Sequence, residues 1–272
     1  MKKILVPTDF SPCATAATAV AMTLAKKANA ELYFLHIGMD PTAGGYAKIK
    51  PQENNEHVAH SKSELALLIS RAEHLGLKAT PELVLERGED KIENYIEPYH
   101  IDFIVMGSHG ASGVKEALLG SHTQRIIRHV HVPVLVIKNA DHTFQIRNIL
   151  FASTFKHSEN NVFREVVNFA RLYDAHIHLV YINFIQHPVY ADVARATMNV
   201  LTSAYPDIKY SYSVADTNDE EWAINQFAVQ LEADLIAIST YDKEGVLKFF
   251  SHPVAESLVN HQKLPVLVLN NK

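Results

Sequence analysis

The chain has 272 residues, 47% of them hydrophobic and 20% charged, with a formal net charge of −5 and a single cysteine. Such a balance belongs to a globular protein of one large or two ordinary domains. The negative charge argues against nucleic acid as a partner, and one cysteine excludes an internal disulfide or a cysteine-built zinc site. No apolar run approaches the roughly 18 residues that span a bilayer. The stretch Met1–Asp9 lacks the hydrophobic region of a signal peptide. No membrane association and a cytoplasmic location are therefore expected.

Lys3-Ile4-Leu5-Val6-Pro7 reads as a short buried strand. Ser11-Pro12 is a helix start, with Ser11 as N-cap and Pro12 at the first helical position. Ala14, Ala17, Val20, Ala21, Leu24 and Ala25 then recur at helical spacing, an alanine-rich face suited to close packing on a sheet. Cys13, in the first turn, reads as a small core residue, although a helix dipole also lowers a thiol pKa. Glu31–Ile37 is a second strand, and Gly38–Asn55, with Pro41, Gly44, Gly45 and Pro51, a long loop. A helix over Glu56–Leu75 turns Leu65, Leu67, Leu68 and Ala72 inward and stops at Gly76. Pro81–Leu85 is the third strand, Asp90–Tyr99 a short helix and Ile101–Met106 the fourth strand. After a glycine-rich loop, a helix over Ser121–His131 leads to the fifth strand, Pro133–Ile137. Strands and helices that alternate in this way, with continuous apolar strands, predict a doubly wound parallel α/β sheet.

The second half repeats the first. Arg147–Phe155 lines up with Lys2–Phe10, Ala175–Ile182 with Ala30–Ile37, Ala233–Ile238 with Ile101–Met106, and Leu264–Leu269 with Val132–Ile137. The expected domains are 1–140 and 145–272, divided near Asn139–Phe144. Each closes on Pro-Val-Leu-Val, an edge strand in this topology, and edges need covering or pairing. Pairing the two edges with each other would make an intramolecular pseudo-dimer; a homodimer of the whole chain stays open.

The stretch that carries chemistry follows the fourth strand: Gly107-x-x-Gly110, nine residues, then Gly120-Ser121 at a helix start. Glycines admit close backbone approach, and the unpaired N–H groups of a helix N-terminus favour anions. In an open parallel sheet, ligands bind beyond the strand C-termini at the topological switch point. There is no Gly-x-x-x-x-Gly-Lys-Ser/Thr, so this is not a P-loop NTPase.

That spacing, with Val6-Pro7-Thr8-Asp9 and Ile37, resembles the ATP-binding members of the universal stress protein family in its tandem form. The resemblance implies two Rossmann-like, adenine nucleotide alpha hydrolase-like domains of strand order 3-2-1-4-5, with ATP and its Mg²⁺ in the first. It implies a stress-response sensor or regulator; an adenine-nucleotide hydrolase or transferase and a nucleotide-free interaction module are the alternatives, and the lack of a nucleophile, acid–base pair or carboxylate cluster near the loop favours at most weak ATP hydrolysis. Gly107 would let the chain turn off strand four, Gly110 would aim amides at the phosphates, and Gly120, Ser121, His122 and Thr123 would form the phosphate-binding helix start. Asp9 would accept from adenine or ribose; Pro7, Thr8 and Ile37 would line the adenine slot, with Met106 against the base and His109 near the phosphates.

Plainer readings stand beside these. Lys115, Arg125 and Arg128 suit solvated or interface charges, and the pairs His57/His60 and His176/His178 share faces without a third metal ligand at a recognisable spacing. In the second half Ser239, Asp242, His252 and Pro253 stand where Gly107, Gly110, Gly120 and Ser121 do, and Thr154 replaces Asp9. Only Gly245 survives, matching Gly113. Negative charge and a lost N–H donor there predict no ordinary ATP binding in the second domain.

Overall fold

The computed structural model describes residues 1–39, 51–86, 91–108, 120–138, 144–155, 159–241 and 252–271. The first half runs β1 (Lys3–Pro7), α1 (Pro12–Ala28), β2 (Glu31–Met39), α2 (Pro51–His74), β3 (Ala79–Glu86), a 3-10 turn (Ile92–Tyr95) continuing into α3 (Ile96–Tyr99), β4 (Phe103–Gly107), α4 (Ser121–His129) and β5 (Val134–Ile137). The second runs β6 (Asn148–Ser153), α5 (Asn160–Tyr173), β7 (His176–Phe184), α6 (Ala191–Thr202), β8 (Tyr210–Thr217), α7 (Glu220–Gln230), β9 (Leu235–Tyr241), α8 (His252–His261) and β10 (Val266–Asn271).

All ten strands form one sheet, ordered β3-β2-β1-β4-β5-β10-β9-β6-β7-β8. The first half has the order 3-2-1-4-5, and the second has the same order run backwards. Within each half the pairs are parallel; at the junction β5 and β10 pair antiparallel, Val136 opposite Val266 and Leu135 opposite Leu267. The two Pro-Val-Leu-Val edges thus close each other. Helices cover both faces over two apolar layers. One holds Val6, Phe34, Phe103, Phe151 and Phe163; the other holds Leu5, Ile104, Met106, Ile126 and Ile236.

The local signals explain the elements, with two corrections. Ser11 caps α1, its hydroxyl accepting from Ala14 N, and Gly76 ends α2 at a φ of +74° that an L side chain rarely adopts. However, α2 begins at Pro51 rather than Glu56, because proline, with its φ preset and no N–H to leave unpaired, suits a first helical position as well as a loop. Leu67 is 50% exposed, while Ile69 packs on the core beside Leu65, Leu68 and Ala72. Those four fit the i, i+3, i+4, i+7 stripe and Leu67 does not.

The duplication reaches the backbone. Positive φ occurs at Phe10 and Phe155, Asn29 and Asp174, His100 and Glu232, each pair at equivalent repeat positions. Asp102 accepts from the amides of Lys2 and Lys3, and Asp234 does the same for Arg147 and Asn148. Across the junction, Gln124 and Arg128 of α4 donate to Glu256 of α8. Lys138 donates to the Asn260 carbonyl near the end of α8, and its repeat equivalent Asn270 donates to the carbonyls of Ile127 and Val130 at the end of α4. Each half therefore caps a helix of the other. Burial holds the Lys138 pKa below the ordinary lysine value.

His176 and His178 lie on one face of β7 with rings stacked 4.2 Å apart. His178 Nε2 donates to Asn148 Oδ1 at 3.2 Å, and its Nδ1 accepts from the Ser211 hydroxyl at 2.6 Å, so both nitrogens are engaged by the protein. Burial, and then the neighbouring His176, lower the His178 pKa from 6.5 to about 4. Between those values the unfolded chain takes up a proton that the fold excludes, so stability is full above pH 6.5 and is lost as pH falls toward 4. A tenfold change in proton affinity corresponds to about 1.4 kcal/mol, so a shift from 6.5 to about 4 costs about 3 kcal/mol by pH 4. Urea midpoints measured from pH 7 to 4 should fall accordingly, and His178→Gln should flatten the slope.

Candidate functional site

The switch point of the first half lies between β1 and β4, which pair as Ile4 with Phe103 and Leu5 with Ile104. Their C-terminal ends open on the same sheet edge. There the segment beginning at His109 leaves, and it returns at Gly120. Its ends are tied: Gly120 N donates to Ser108 O at 3.0 Å, Ser108 N donates to Ile137 O at 3.0 Å, and the Thr123 hydroxyl donates to Gly107 O at 3.0 Å and Ser108 O at 3.4 Å. Ser108 and Thr123 are buried. The clasp fixes where the loop starts and where α4 begins. His109 and Gly110, with Lys115, lie outside the described residues.

Gln124 N makes the first intrahelical bond of α4, to Gly120 O. Residues 121–123 therefore supply the N-terminal amides of that helix, where the macrodipole favours an anion. The Gly120 amide is spent on Ser108, which corrects its expected role: it locks the loop, and the donors begin at Ser121. Thr123 likewise holds the backbone with its hydroxyl. His122 is exposed at the same helix start.

Gly107 is glycine for a reason other than turning. It remains in strand, opposite Ile137. A Cβ there would lie 2.9 Å from the carbonyl carbon of Cys13 and 3.0 Å from its Cβ and oxygen. The first turn of α1 presses directly on the end of β4. Cys13 is half-buried rather than enclosed in the core, its thiol donating to Lys138 O at 3.3 Å.

Beyond β1, Thr8 is buried and its amide donates to Leu35 O. Its hydroxyl accepts from Phe10 N at 3.1 Å, and its carbonyl accepts from His36 Nδ1 at 2.8 Å. The ring of His36 packs on Phe10, centroids 4.6 Å apart. Asp9 Oδ1 accepts from Ser11 N at 3.0 Å, fixing the carboxylate at the entrance to α1 beside half-buried Pro7. Met106 is 3% exposed and belongs to the core beside Ile126, which replaces the expectation that it packs against a base.

Ile37 is placed by the ladder. Glu31 N donates to Lys2 O and Leu35 O accepts from Thr8 N, whereas Leu32 N donates to Lys78 O. Odd-numbered β2 residues thus direct their backbone toward β1 and even ones toward β3. The pairing with β1 stops at Pro7 opposite Leu35, so the N–H and C=O of Ile37 point past the end of β1 into the switch-point crevice. His36, Phe10 and Ser108 carry no signal of their own in the sequence, and only position relative to Thr8 and Gly107 marks them.

In the second half the same place is built differently. β9 continues two residues past Ser239, with Thr240 and Tyr241 paired to Asn270 and Asn271, and the Thr240 hydroxyl bonds the Asn270 amide oxygen. Ser239 is fully buried. β9 thus outlasts β4, which ends at Gly107. Asp242 and Gly245 lie outside the described residues, while His252 and Pro253 open α8.

Among the described residues no helix is long and apolar enough to cross a membrane. The sequence pattern of the universal stress protein family matches residues 1–138 and again 145–270. The chain is 32% identical over 139 residues to universal stress protein MJ0531 of Methanocaldococcus jannaschii, covering 50% of this chain and 82% of that one. It is 30% identical over 153 residues to MJ0577 of the same organism, covering 50% and 94%. A crystal structure of a universal stress protein from Archaeoglobus fulgidus superposes with a TM-score of 0.75 at 18% identity, over 99% of this chain and 98% of that one; at that identity the likeness speaks for the fold. The chain belongs to the universal stress protein family, with two family units in tandem.

Proposed function

We propose that the first half, residues 1–140, binds an adenine nucleotide, ATP with its Mg²⁺, once per chain, and that the second half, residues 145–272, is its structural partner. One observation carries the reading: the clasp of Ser108, Gly120 and Thr123 aims the start of α4 at the switch point. The N-terminal amides of residues 121–123 suit phosphates. The outward N–H and C=O of Ile37 suit the donor–acceptor edge of adenine, and the Asp9 carboxylate, able to accept several bonds, suits ribose or base. Mg²⁺ would arrive on the nucleotide's phosphates. With the Thr8 and Thr123 hydroxyls committed to backbone, the site is built to hold and report a nucleotide, which favours a cytoplasmic sensor or regulator of a stress response over an enzyme.

Equilibrium dialysis with ATP tests this. Asp9→Ala should weaken binding about tenfold or more, since a hydrogen bond to a charged group is worth roughly 1.5–3 kcal/mol. Affinity unchanged by that substitution would remove Asp9 from the site.

A further inference from the structure

The two outer edges of the sheet, β3 and β8, are not built alike. In a parallel pair, alternate residues direct both backbone groups to one neighbour. Leu32 N donates to Lys78 O, which turns Thr80, Glu82 and Val84 toward β2 and leaves Ala79, Pro81, Leu83 and Leu85 facing outward. Pro81 has no N–H, so it interrupts the outward row, a usual protection of an edge strand. At the other end Ile177 N donates to Lys209 O and Ile185 N to Thr217 O. Ser211, Ser213 and Ala215 therefore face β7, and Tyr210, Tyr212, Val214 and Asp216 face outward. Each of those four carries both donor and acceptor. The β8 edge is an uninterrupted row.

The covering helices differ in the same sense. Among the described residues nine large apolar side chains are exposed, and six of them are Ile185, Tyr190, Val193, Val200, Trp222 and Val229. They follow β7 or lie at α6 and α7, the helices that pack against β7 and β8. Most of the apolar exposure among the described residues therefore lies on or just before the two helices, one on each face of the sheet, that flank its β7–β8 end.

We propose that β8 pairs antiparallel with β8 of a second copy of this chain, about a twofold axis through Ser213. The strand is self-complementary in that register. Tyr210 meets Asp216 and Tyr212 meets Val214 of the second copy as hydrogen-bonded pairs, so all four outward residues enter the ladder. Ser213 faces its own counterpart, Ser211 faces Ala215, and Lys209 faces Thr217. No like charges oppose, and the Tyr–Val pairs are of the aromatic–β-branched kind that stabilises sheets. A twofold contact must be self-complementary in this way, whereas an unrelated strand would have no use for it. The β5 and β10 edges are consumed within the chain, which leaves β8 as the unblocked edge for assembly.

Sedimentation of the full chain at tens of micromolar should give a dimer. Val214→Pro removes one outward N–H without touching the β7 ladder, and Ser213→Lys places two positive charges on the axis; each should give a monomer with an unchanged far-ultraviolet circular dichroism spectrum. In a Cys13→Ser background, Ser213→Cys should cross-link on mild oxidation, because facing residues of a non-hydrogen-bonded pair have Cα atoms about 4.5 Å apart. Ser211→Cys should not, its two copies being about 14 Å apart along the strands. A monomeric unmodified chain, a dimer that survives both Val214→Pro and Ser213→Lys, or cross-linking at 211 in place of 213 would overturn the proposal.

Discussion

Gly107→Ala is expected to destabilise the protein by about 1–3 kcal/mol in the absence of any nucleotide, the usual cost of forcing atoms into a filled space. The new methyl carbon would meet the backbone of Cys13 at 2.9–3.0 Å. That backbone cannot yield cheaply, because Ser11 caps the helix at this turn and Ala14, Ala16 and Ala17 are buried behind it. To relieve the contact α1 would have to lift from β4. Since the atoms at fault are mainly main chain, Cys13→Ala should not rescue the variant. Urea unfolding without ligand gives the answer. A midpoint equal to that of the unmodified protein would mean that Gly107 serves only ligand approach, and the close packing of α1 on β4 would lose its explanatory role.

The second large effect concerns the junction. Leu135→Ala removes a fully buried side chain from β5, opposite Leu267 of β10, and should cost about 2–5 kcal/mol. The informative readout is in the other half. Trp222 is the only tryptophan in the chain and lies on α7 of the second half. If the continuous sheet and the reciprocal helix caps join the halves into one cooperative unit, the unfolding transition seen by Trp222 fluorescence should shift with that seen by circular dichroism. A fluorescence transition that stays in place while the far-ultraviolet signal splits in two would show halves that fold independently.

Much of the fold is legible in the sequence because the relevant signals are local or periodic. The helix start at Ser11 and Pro12, the stop at Gly76 and the apolar runs of β1, β4 and β5 each follow from a few adjacent residues. The repeat offset alone aligns Asp9 with Thr154 and Gly107 with Ser239, and the pairing of the two Pro-Val-Leu-Val edges follows from the need to close them. Leu67 is an exception, because six apolar residues in the eight-residue window 65–72 fit more than one stripe, and packing chooses Ile69 instead. The site is legible in outline only. The spacing of Gly107, Gly110 and Gly120 marks a loop and a helix start, but not which groups the protein spends on itself. Hydrogen bonds between residues 12 to 16 positions apart commit Gly120 N and the Thr123 hydroxyl to the clasp, and contact with a turn 94 positions away makes Gly107 obligatory. Met106 offers no local sign of its direction, since alternation along a strand buried on both faces leaves both sides apolar.

Native mass spectrometry of the full chain with ATP tests most directly whether a nucleotide site is present in the first half and absent from the second, because it counts ligands bound per chain. One ATP per chain is the predicted result, with occupancy sharply reduced by Asp9→Ala and unaffected by Thr154→Ala at the equivalent position. No ATP bound at millimolar concentration, or two per chain, would contradict it.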